Sequence, residues 1–395
     1  MKELKIISIE KQSDKNTASC CSAEKKNFIS ETPAIKNTCC CTENSKLPEW
    51  ITGAIETPAG KACKVSTGWS LADHWGQIKS RTSGFRMKYT VEPGLYAAGN
   101  PDKESDVLVS ANYKLSFDIL RRSLQGLNVW ILVLDTKGIN VWCAAGKGTF
   151  GTNELVNRVQ EVQLNKIVNH NRLIAPQLGA VGVNARPVQK ITGFRVYFGP
   201  VYAKDIPAYI SSGYKKTEEM RTIRFTMTDR LMLTPLEINP ALKKFPLYAL
   251  IVLLIFGLKP SGIFFRDAWF GGTPFLLLGL ISVLAGALVT PALLPFVPFR
   301  SFALKGWIVG MLATFFTIQS SGIIHQENTI LLIVACLFFP LASSYIALQF
   351  TGSTTFTGMS GVKKELKTAV PFYITAVCIS LILMIISKLG EWRIL

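Results

Sequence analysis

The sequence predicts a two-part protein: a soluble α/β domain followed by a group of membrane-spanning helices. Three observations carry that reading. Between residues 67 and 235, apolar strand-like and amphipathic helix-like segments alternate, as in a mostly parallel sheet with helices on both faces. Beyond residue 245, five long apolar runs follow one another. Finally, a single cysteine, Cys143, stands in the run Asn140-Val141-Trp142-Cys143-Ala144-Ala145-Gly146-Lys147-Gly148-Thr149-Phe150-Gly151-Thr152. That run follows an apolar strand, on the sheet rim where α/β folds bind ligands.

Residues 1–66 read as a flexible arm, polar and charged, with no sustained hydrophobic period. The arm carries Cys20, Cys21, Cys39, Cys40 and Cys41. Vicinal thiolates suit soft ions such as Hg(II), and the alternative is a tail with incidental cysteines. From residue 67, a short strand is expected at 106–109 and a helix at 115–127, where Phe117, Leu120, Leu124 and Leu127 recur at helical steps. A buried strand follows at 129–134. A helix at 153–162 takes Thr152 or Asn153 as its cap. Strands are expected at 173–175 and 194–198, a helix at 203–210 ending near Gly213, and strands at 222–226 and 231–234. The pattern is that of a Rossmann- or flavodoxin-like sheet, with residues 236–244 as a linker.

Residues 245–395 form the predicted transmembrane domain of five helices, with apolar runs at 245–258, 274–298, 306–324, 329–350 and 369–386. A span needs about 20 residues, so the first run is short. With the soluble domain inside, Lys243, Lys244, Arg300, Lys305, Lys363, Lys364 and Lys367 lie on the cytoplasmic side. Lys259, Arg266, Lys388 and Arg393 lie outside, and the imbalance favours this orientation in the cell membrane. The polar loop 351–358 then faces the soluble domain. No acidic residue lies within a span, which points to anchoring rather than ion-coupled transport.

The formal net charge of +17 could serve nucleic acid or an anionic membrane surface. The basic residues form no aromatic-interleaved patch, so no nucleic-acid partner is expected and the bilayer is the partner implied. The opening Met1-Lys2-Glu3-Leu4-Lys5 lacks the apolar core of a secretory leader. The nine cysteines therefore read as free thiols or metal ligands.

The Cys143 run excludes two common sites. A phosphate loop needs Gly, four residues and then Gly-Lys-Ser/Thr, and here Val141 and Gly148 occupy the wrong ends. A zinc or iron–sulfur site needs several close ligands, yet the nearest upstream sulfur is Cys63, about 80 residues away. What remains is a lone thiol on a short helix beside a ligand pocket.

The Asn140-to-Thr152 run resembles the cap-helix motif of the mercury-methylating corrinoid proteins. The resemblance extends to Pro93-Gly94-Leu95-Tyr96, Gly99-Asn100-Pro101 and Val107-Leu108-Val109-Ser110-Ala111-Asn112-Tyr113. It continues in Leu173-Ile174-Ala175-Pro176-Gln177-Leu178-Gly179 and Tyr197-Phe198-Gly199-Pro200-Val201. More distantly, the same blocks are similar to the corrinoid-binding part of the corrinoid iron–sulfur protein. The resemblance covers roughly residues 67–395 and implies a cobalt corrinoid on the α/β domain.

Further expectations come with the resemblance. The usual Asp-x-His-x-x-Gly signature is absent, and none of His74, His170 and His325 sits in it, so Cys143 is the implied lower axial cobalt ligand. A thiolate would donate charge to Co(III) and ease loss of the methyl group. Asn140 would cap the helix, while Val141, Trp142, Ala144 and Ala145 would wall the macrocycle. Gly146, Gly148 and Gly151 would permit tight backbone, Thr149 and Thr152 would offer hydroxyls, and Lys147 would pair with a tail phosphate. Ser110, Ala111, Asn112, Gln177, Gly179, Gly199, Pro200 and Val201 would converge on the same rim. No Cys-x-x-Cys-x-x-Cys run exists, so no iron–sulfur cluster is expected in this chain. A ferredoxin-like protein with two 4Fe–4S clusters is the implied electron donor, and a donor linked to methyltetrahydrofolate supplies the methyl group. The expected activity is a corrinoid-dependent methyltransferase that converts Hg(II) to methylmercury. The alternatives are a corrinoid methyl carrier of one-carbon metabolism and a membrane protein that binds or transports heavy metals.

Overall fold

The structure, a computed structural model, describes residues 47–321, 328–350 and 359–392. The five arm cysteines, the loop 351–358 and His325 lie outside the described residues. The first part of the chain builds β1 (Ile51–Thr57), β2 (Gly60–Val65), α1 (Leu71–Thr82), β3 (Gly94–Ala98), β4 (Val107–Ala111) and α2 (Lys114–Ser123). It continues with β5 (Val129–Leu134), α3 (Val141–Lys147), α4 (Thr152–Glu161), β6 (Arg172–Ala175), α5 (Ala185–Thr192), β7 (Arg195–Phe198) and α6 (Ile206–Ser211).

Among the described residues these strands form one mixed sheet in the order β1-β2-β3-β5-β4-β6-β7. β5 shows why it is buried on both sides. Trp130, Leu132 and Leu134 point into one apolar layer, and Val129, Ile131 and Val133 into the other. The first layer holds Phe150, Leu155 and Val159 before and along α4, and Val188 of α5. The second holds Phe117 and Leu120 of α2, and Ile206 and Tyr209 of α6.

The sheet departs from the sequence reading in its first half. β1 pairs antiparallel with β2, and β3 antiparallel with β5, whereas β4, β5, β6 and β7 run parallel. Residues 51–65, expected in the flexible arm, form β1 and β2. Their polar alternation fits a strand with one solvated face, and β2 finds its partner β3 far along the chain. Cys63, expected as a free thiol, is disulfide-bonded, while Cys143, Cys336 and Cys378 are free.

A buried ionic clamp ties α1 to α2. Arg121 is fully buried and pairs with Asp73 (2.7 Å) and Asp118 (2.8 Å). It also donates to the Ser66 and Gly68 carbonyls at 2.6 and 2.7 Å. Lys114 pairs with Asp118 and lies 4.8 Å from the Trp50 ring centroid. Two cations and two carboxylates, each with several partners, satisfy the condition for burying charge.

The second part begins earlier than the apolar runs indicate. α7 (Met227–Gly257) starts at a capping box of Thr226 and Asp229 and runs unbroken through Pro235, Pro240 and Pro246. Residues 231–234, expected as a strand, and 236–244, expected as a linker, are helical within it; a short apolar run does not distinguish strand from helix. The hairpin β8 (Leu258–Lys259) and β9 (Gly262–Ile263) turns the chain into α8 (Phe265–Leu284). A π-helical stretch, Ala285–Val289, leads to the last turn α9 (Thr290–Ala292). Then follow α10 (Phe302–Ser321), α11 (Thr329–Phe350) and α12 (Met359–Glu391). Five helices among the described residues are long and apolar enough to cross a bilayer, and the chain is a multi-pass membrane protein with a soluble globular domain. α10 meets α11 through small residues: a Cβ on Gly306 would lie 2.4 Å from that of Ala347, and one on Gly310 2.5 Å from that of Ser343.

Candidate functional site

The parallel strands β4, β5, β6 and β7 end on one rim. The chain passes from β4 outward to β5, returns across β4 to β6, and continues to β7. Crossovers therefore reverse direction at β4, and crevices in α/β sheets open at such reversals, beyond the carboxyl ends of the strands. β4 and β6 share one registered pair, Leu108 with Ile174. A recess of about 360 Å³ lies at this place, lined by Ser110, Ile174, Pro176 and Gly199 from the strand ends. Ser116, Ile119 and Leu120 of α2 close one side, and Asn140, Val141 and Trp142 another. Its volume falls at the lower end of small-molecule sites, about 300–1,000 Å³.

The loop that delivers α3 to this rim is fixed by Asn112. Asn112 is buried immediately after β4, and its Oδ1 accepts from the backbone N–H groups of Thr136 (3.1 Å) and Gly138 (2.9 Å). Its Nδ2 donates to Asp135 at 3.2 Å. The turn needs left-handed backbone at Lys137 and Gly138, with φ of 57° and 71°. Asn140 then caps α3, its Oδ1 accepting the Cys143 N–H at 3.0 Å. Gly148 closes the helix in the left-handed region at φ 81°. Cys143 is thereby presented in the first turn as a free, half-buried thiol.

The expected site residues divide into three groups. Asn140, Val141, Trp142, Ser110, Gly199, Pro200 and Val201 line the recess. Cys143 lies next to them on α3, and Gly146, Lys147 and Gly148 are exposed at its far end. The remainder serve the scaffold. Ala144 and Ala145 are buried in the apolar layer instead of facing a ligand, at 0% and 5% exposure. Ala111 is fully buried in the sheet. Gly151 and Gly179 are packing glycines: a Cβ would meet the Gly148 carbonyl oxygen at 2.7 Å and the Phe150 ring at 2.4 Å, respectively. Thr149 lies on the Ala144 carbonyl (3.4 Å), and Thr152 accepts the Asn184 N–H at 2.8 Å. Gln177 accepts from Lys216 at 2.5 Å, and its neighbour Leu178 lines the recess.

Sequence reasoning missed Ser116, Ile119, Tyr202 and Ile206. The one available signal was Ile119, an exposed apolar residue one step off the buried stripe of α2. The two described histidines stand away from the rim. His170 lies 2.9 Å from the Ser105 carbonyl and accepts the Arg172 N–H at 3.1 Å, at the amino end of β6. His74 is exposed and packs edge-on against Trp69.

Comparison with known proteins places this rim inside a shared segment. Residues 84–210 match the family model described as CO dehydrogenase/acetyl-CoA synthase delta subunit. The chain is 30% identical over 154 residues to the acetyl-CoA decarbonylase/synthase complex subunit gamma of Methanopyrus kandleri, covering 38% of this chain and 33% of that protein. The corresponding subunit of Archaeoglobus fulgidus is 28% identical over 135 residues, 34% of this chain and 28% of that one. The corrinoid/iron–sulfur protein large subunit of Moorella thermoacetica is 29% identical over 121 residues, 30% and 27% of the two chains. The chain thus spans about a third or less of the length of these relatives.

These similarities relate the soluble domain to subunits named for acetyl-CoA decarbonylase/synthase chemistry and to a corrinoid/iron–sulfur protein. They correct the expectation of mercury methylation. These relatives are named for acetyl-CoA chemistry or for a corrinoid, not for mercury. Nor do three or more His, Cys, Asp or Glu residues gather as a metal-binding group among the described residues.

Proposed function

We propose that the chain is a membrane-anchored corrinoid protein that carries a methyl group in one-carbon metabolism, with the soluble α/β domain as its cofactor-binding region. The observation that carries this reading is the free thiol of Cys143, held by Asn140 beside a recess at the point of strand reversal. That rim lies wholly within the segment similar to corrinoid-associated subunits. The parallel half of the sheet, with helices on both faces, is the frame of a doubly wound cofactor-binding domain.

The donor set suits a corrinoid. Such a cofactor would need at most one donor atom from the protein, which the lone free thiol of Cys143 would supply. When bound, the corrinoid supplies a cobalt centre able to accept and release a methyl group. Cys143 would be the residue that holds the cobalt in this reading, and Asn140 fixes its backbone. Val141 and Trp142 exclude water, while Ser110 and the Gly199–Val201 backbone offer polar groups to cofactor amides. Lys147, exposed at the end of α3, is free to meet a tail phosphate. The partners are a methyl donor linked to methyltetrahydrofolate and a ferredoxin-like reductant with two 4Fe–4S clusters.

The test is anaerobic reconstitution of the full chain in detergent with hydroxocobalamin, read by visible absorption after gel filtration. The folded chain should retain corrinoid in stoichiometric amount. Cys143→Ala should retain it with an altered cobalt-ligand spectrum, and Cys143→His should give a third spectrum. A folded chain that retains no corrinoid refutes the proposal. A Cys143→Ala spectrum identical to that of the parent refutes the ligand assignment alone.

A further inference from the structure

The membrane bundle holds a larger recess, about 810 Å³, between α10, α11 and α12. It lies toward the end of the bundle that joins the soluble domain. There Arg230, one turn into α7, donates to the Pro291 and Ala292 carbonyls, and Phe225 packs with Leu294, Phe302 and Phe350.

The lining is graded along the helix axes. Arg300, just before α10, and Lys364, in the second turn of α12, stand exposed at one end. Ser344 of α11 lies further in, its hydroxyl 2.9 Å from that of Tyr373. Trp307, Leu341 and Phe372 form the deeper part. From Lys364 to Phe372 the helix rises roughly 12 Å, so charge and apolar surface are separated by about half the thickness of one bilayer leaflet or more. Glu365 also lines the recess but makes no ion pair with either cation. Its carboxylate accepts from the Ser301 hydroxyl (2.6 Å) and the Ala303 N–H (2.7 Å) at the start of α10. Among the described residues, neither Arg300 nor Lys364 has an ion-pair partner.

We propose that this recess binds one anionic phospholipid, with its phosphate between Arg300 and Lys364 and an acyl chain against Trp307, Leu341 and Phe372. A free anion would leave the apolar part of the recess unused, and a zwitterionic lipid would bring its own headgroup cation against Arg300 and Lys364. Basic pockets between spans on the cytoplasmic side suit acidic headgroups for the same reason.

The experiment is native mass spectrometry of the full chain in detergent, titrated separately with phosphatidylglycerol and phosphatidylcholine, with inorganic phosphate as competitor. At roughly fivefold per cation, phosphatidylglycerol should be retained about thirtyfold better than phosphatidylcholine. Arg300→Gln with Lys364→Gln should abolish that preference while leaving phosphatidylcholine retention unchanged. Trp307→Ala with Phe372→Ala should weaken both lipids, with helicity by circular dichroism as the check on folding. Salt should weaken phosphatidylglycerol retention by the unaltered chain, a measurement that needs no variant. Equal retention of the two lipids, an unaltered preference in the double glutamine variant, insensitivity to salt, or displacement by phosphate as effective as by excess lipid would overturn the proposal.

Discussion

Replacing Asn112 with alanine should loosen the approach to Cys143 without touching the recess itself. The Asn112 side chain holds the loop before α3 through the N–H groups of Thr136 and Gly138 and through Asp135. Thr136 is fully buried, so its N–H loses its acceptor with no water at hand. A stranded buried donor costs about 1–3 kcal/mol, and the more accessible Gly138 N–H adds a smaller amount. A total of about 2–4 kcal/mol corresponds to a roughly thirtyfold to thousandfold rise in local opening. Hydrogen exchange should therefore accelerate by that factor at the amides of residues 136–144, while β5 and α4 keep their protection. Alkylation of Cys143 should rise in parallel. Unchanged exchange across 136–144, in a variant that lacks these acceptors, would refute the claim that Asn112 fixes α3.

Other substitutions probe other contacts. Asn140→Ala removes the α3 cap and should destabilise the helix by about 1 kcal/mol, read as faster exchange at the Cys143 amide. Gly182→Ala places a Cβ 2.1 Å from the Phe150 carbonyl oxygen and 3.0 Å from the Ala145 Cα, both backbone atoms, so it should cost about 1–3 kcal/mol and displace α3. Thermal denaturation and Cys143 alkylation check it. Arg121→Met leaves the two buried carboxylates, Asp73 and Asp118, to share the one remaining cation, Lys114, and should destabilise the soluble domain by about 3–5 kcal/mol by urea denaturation. The clamp also predicts acid sensitivity. Burial raises the Asp73 carboxyl, but the Arg121 hydrogen bond, the Ser70 amide and the charges of Arg121 and Lys114 outweigh it, so its pKa lies below the ordinary 3.8. The stabilisation is complete above that value and is lost as pH falls through the lowered one. Asp73→Asn should remove this part of the acid slope, and an identical slope in the variant would contradict the assignment.

The legible parts of the molecule are those in which one residue type serves one purpose. The six apolar residues of β5 and the Asn140 cap belong to that kind. Glycine and alanine are different, because a small side chain serves close packing as well as close approach to a ligand. Gly151, Gly179, Ala144 and Ala145 proved to be packing residues, and the neighbouring rings and carbonyls that decide this come from other elements. β1 and β2 were hidden because an edge hairpin needs little hydrophobicity when its partner strand supplies the buried surface. The start of α7 was hidden by Pro235 and Pro240, which read as a linker but are tolerated in a helix that packs along α8. The lining contributed by Ile119 and Ile206 depends on which face of the sheet α2 and α6 cover, and that is settled by topology.

Contacts pin the junction between sheet and bundle: the Tyr202 hydroxyl, just beyond β7, donates to the Arg224 carbonyl and accepts its N–H, and Asn239 of α7 donates to the Thr82 carbonyl at the end of α1. Thr226 and Asp229 lock the first turn of α7, and Arg230 fastens it to the end of the neighbouring helix within one further residue. A loose tether would let the rim sample all directions, so that a partner would meet it only as often as chance allowed. A locked junction sets one bearing for the rim relative to the bundle. A partner that reaches the thiol by one approach will then find that same approach open at every encounter. Lengthening this junction with a few glycines would leave every contact of the recess intact and still change how often a partner arrives correctly aligned.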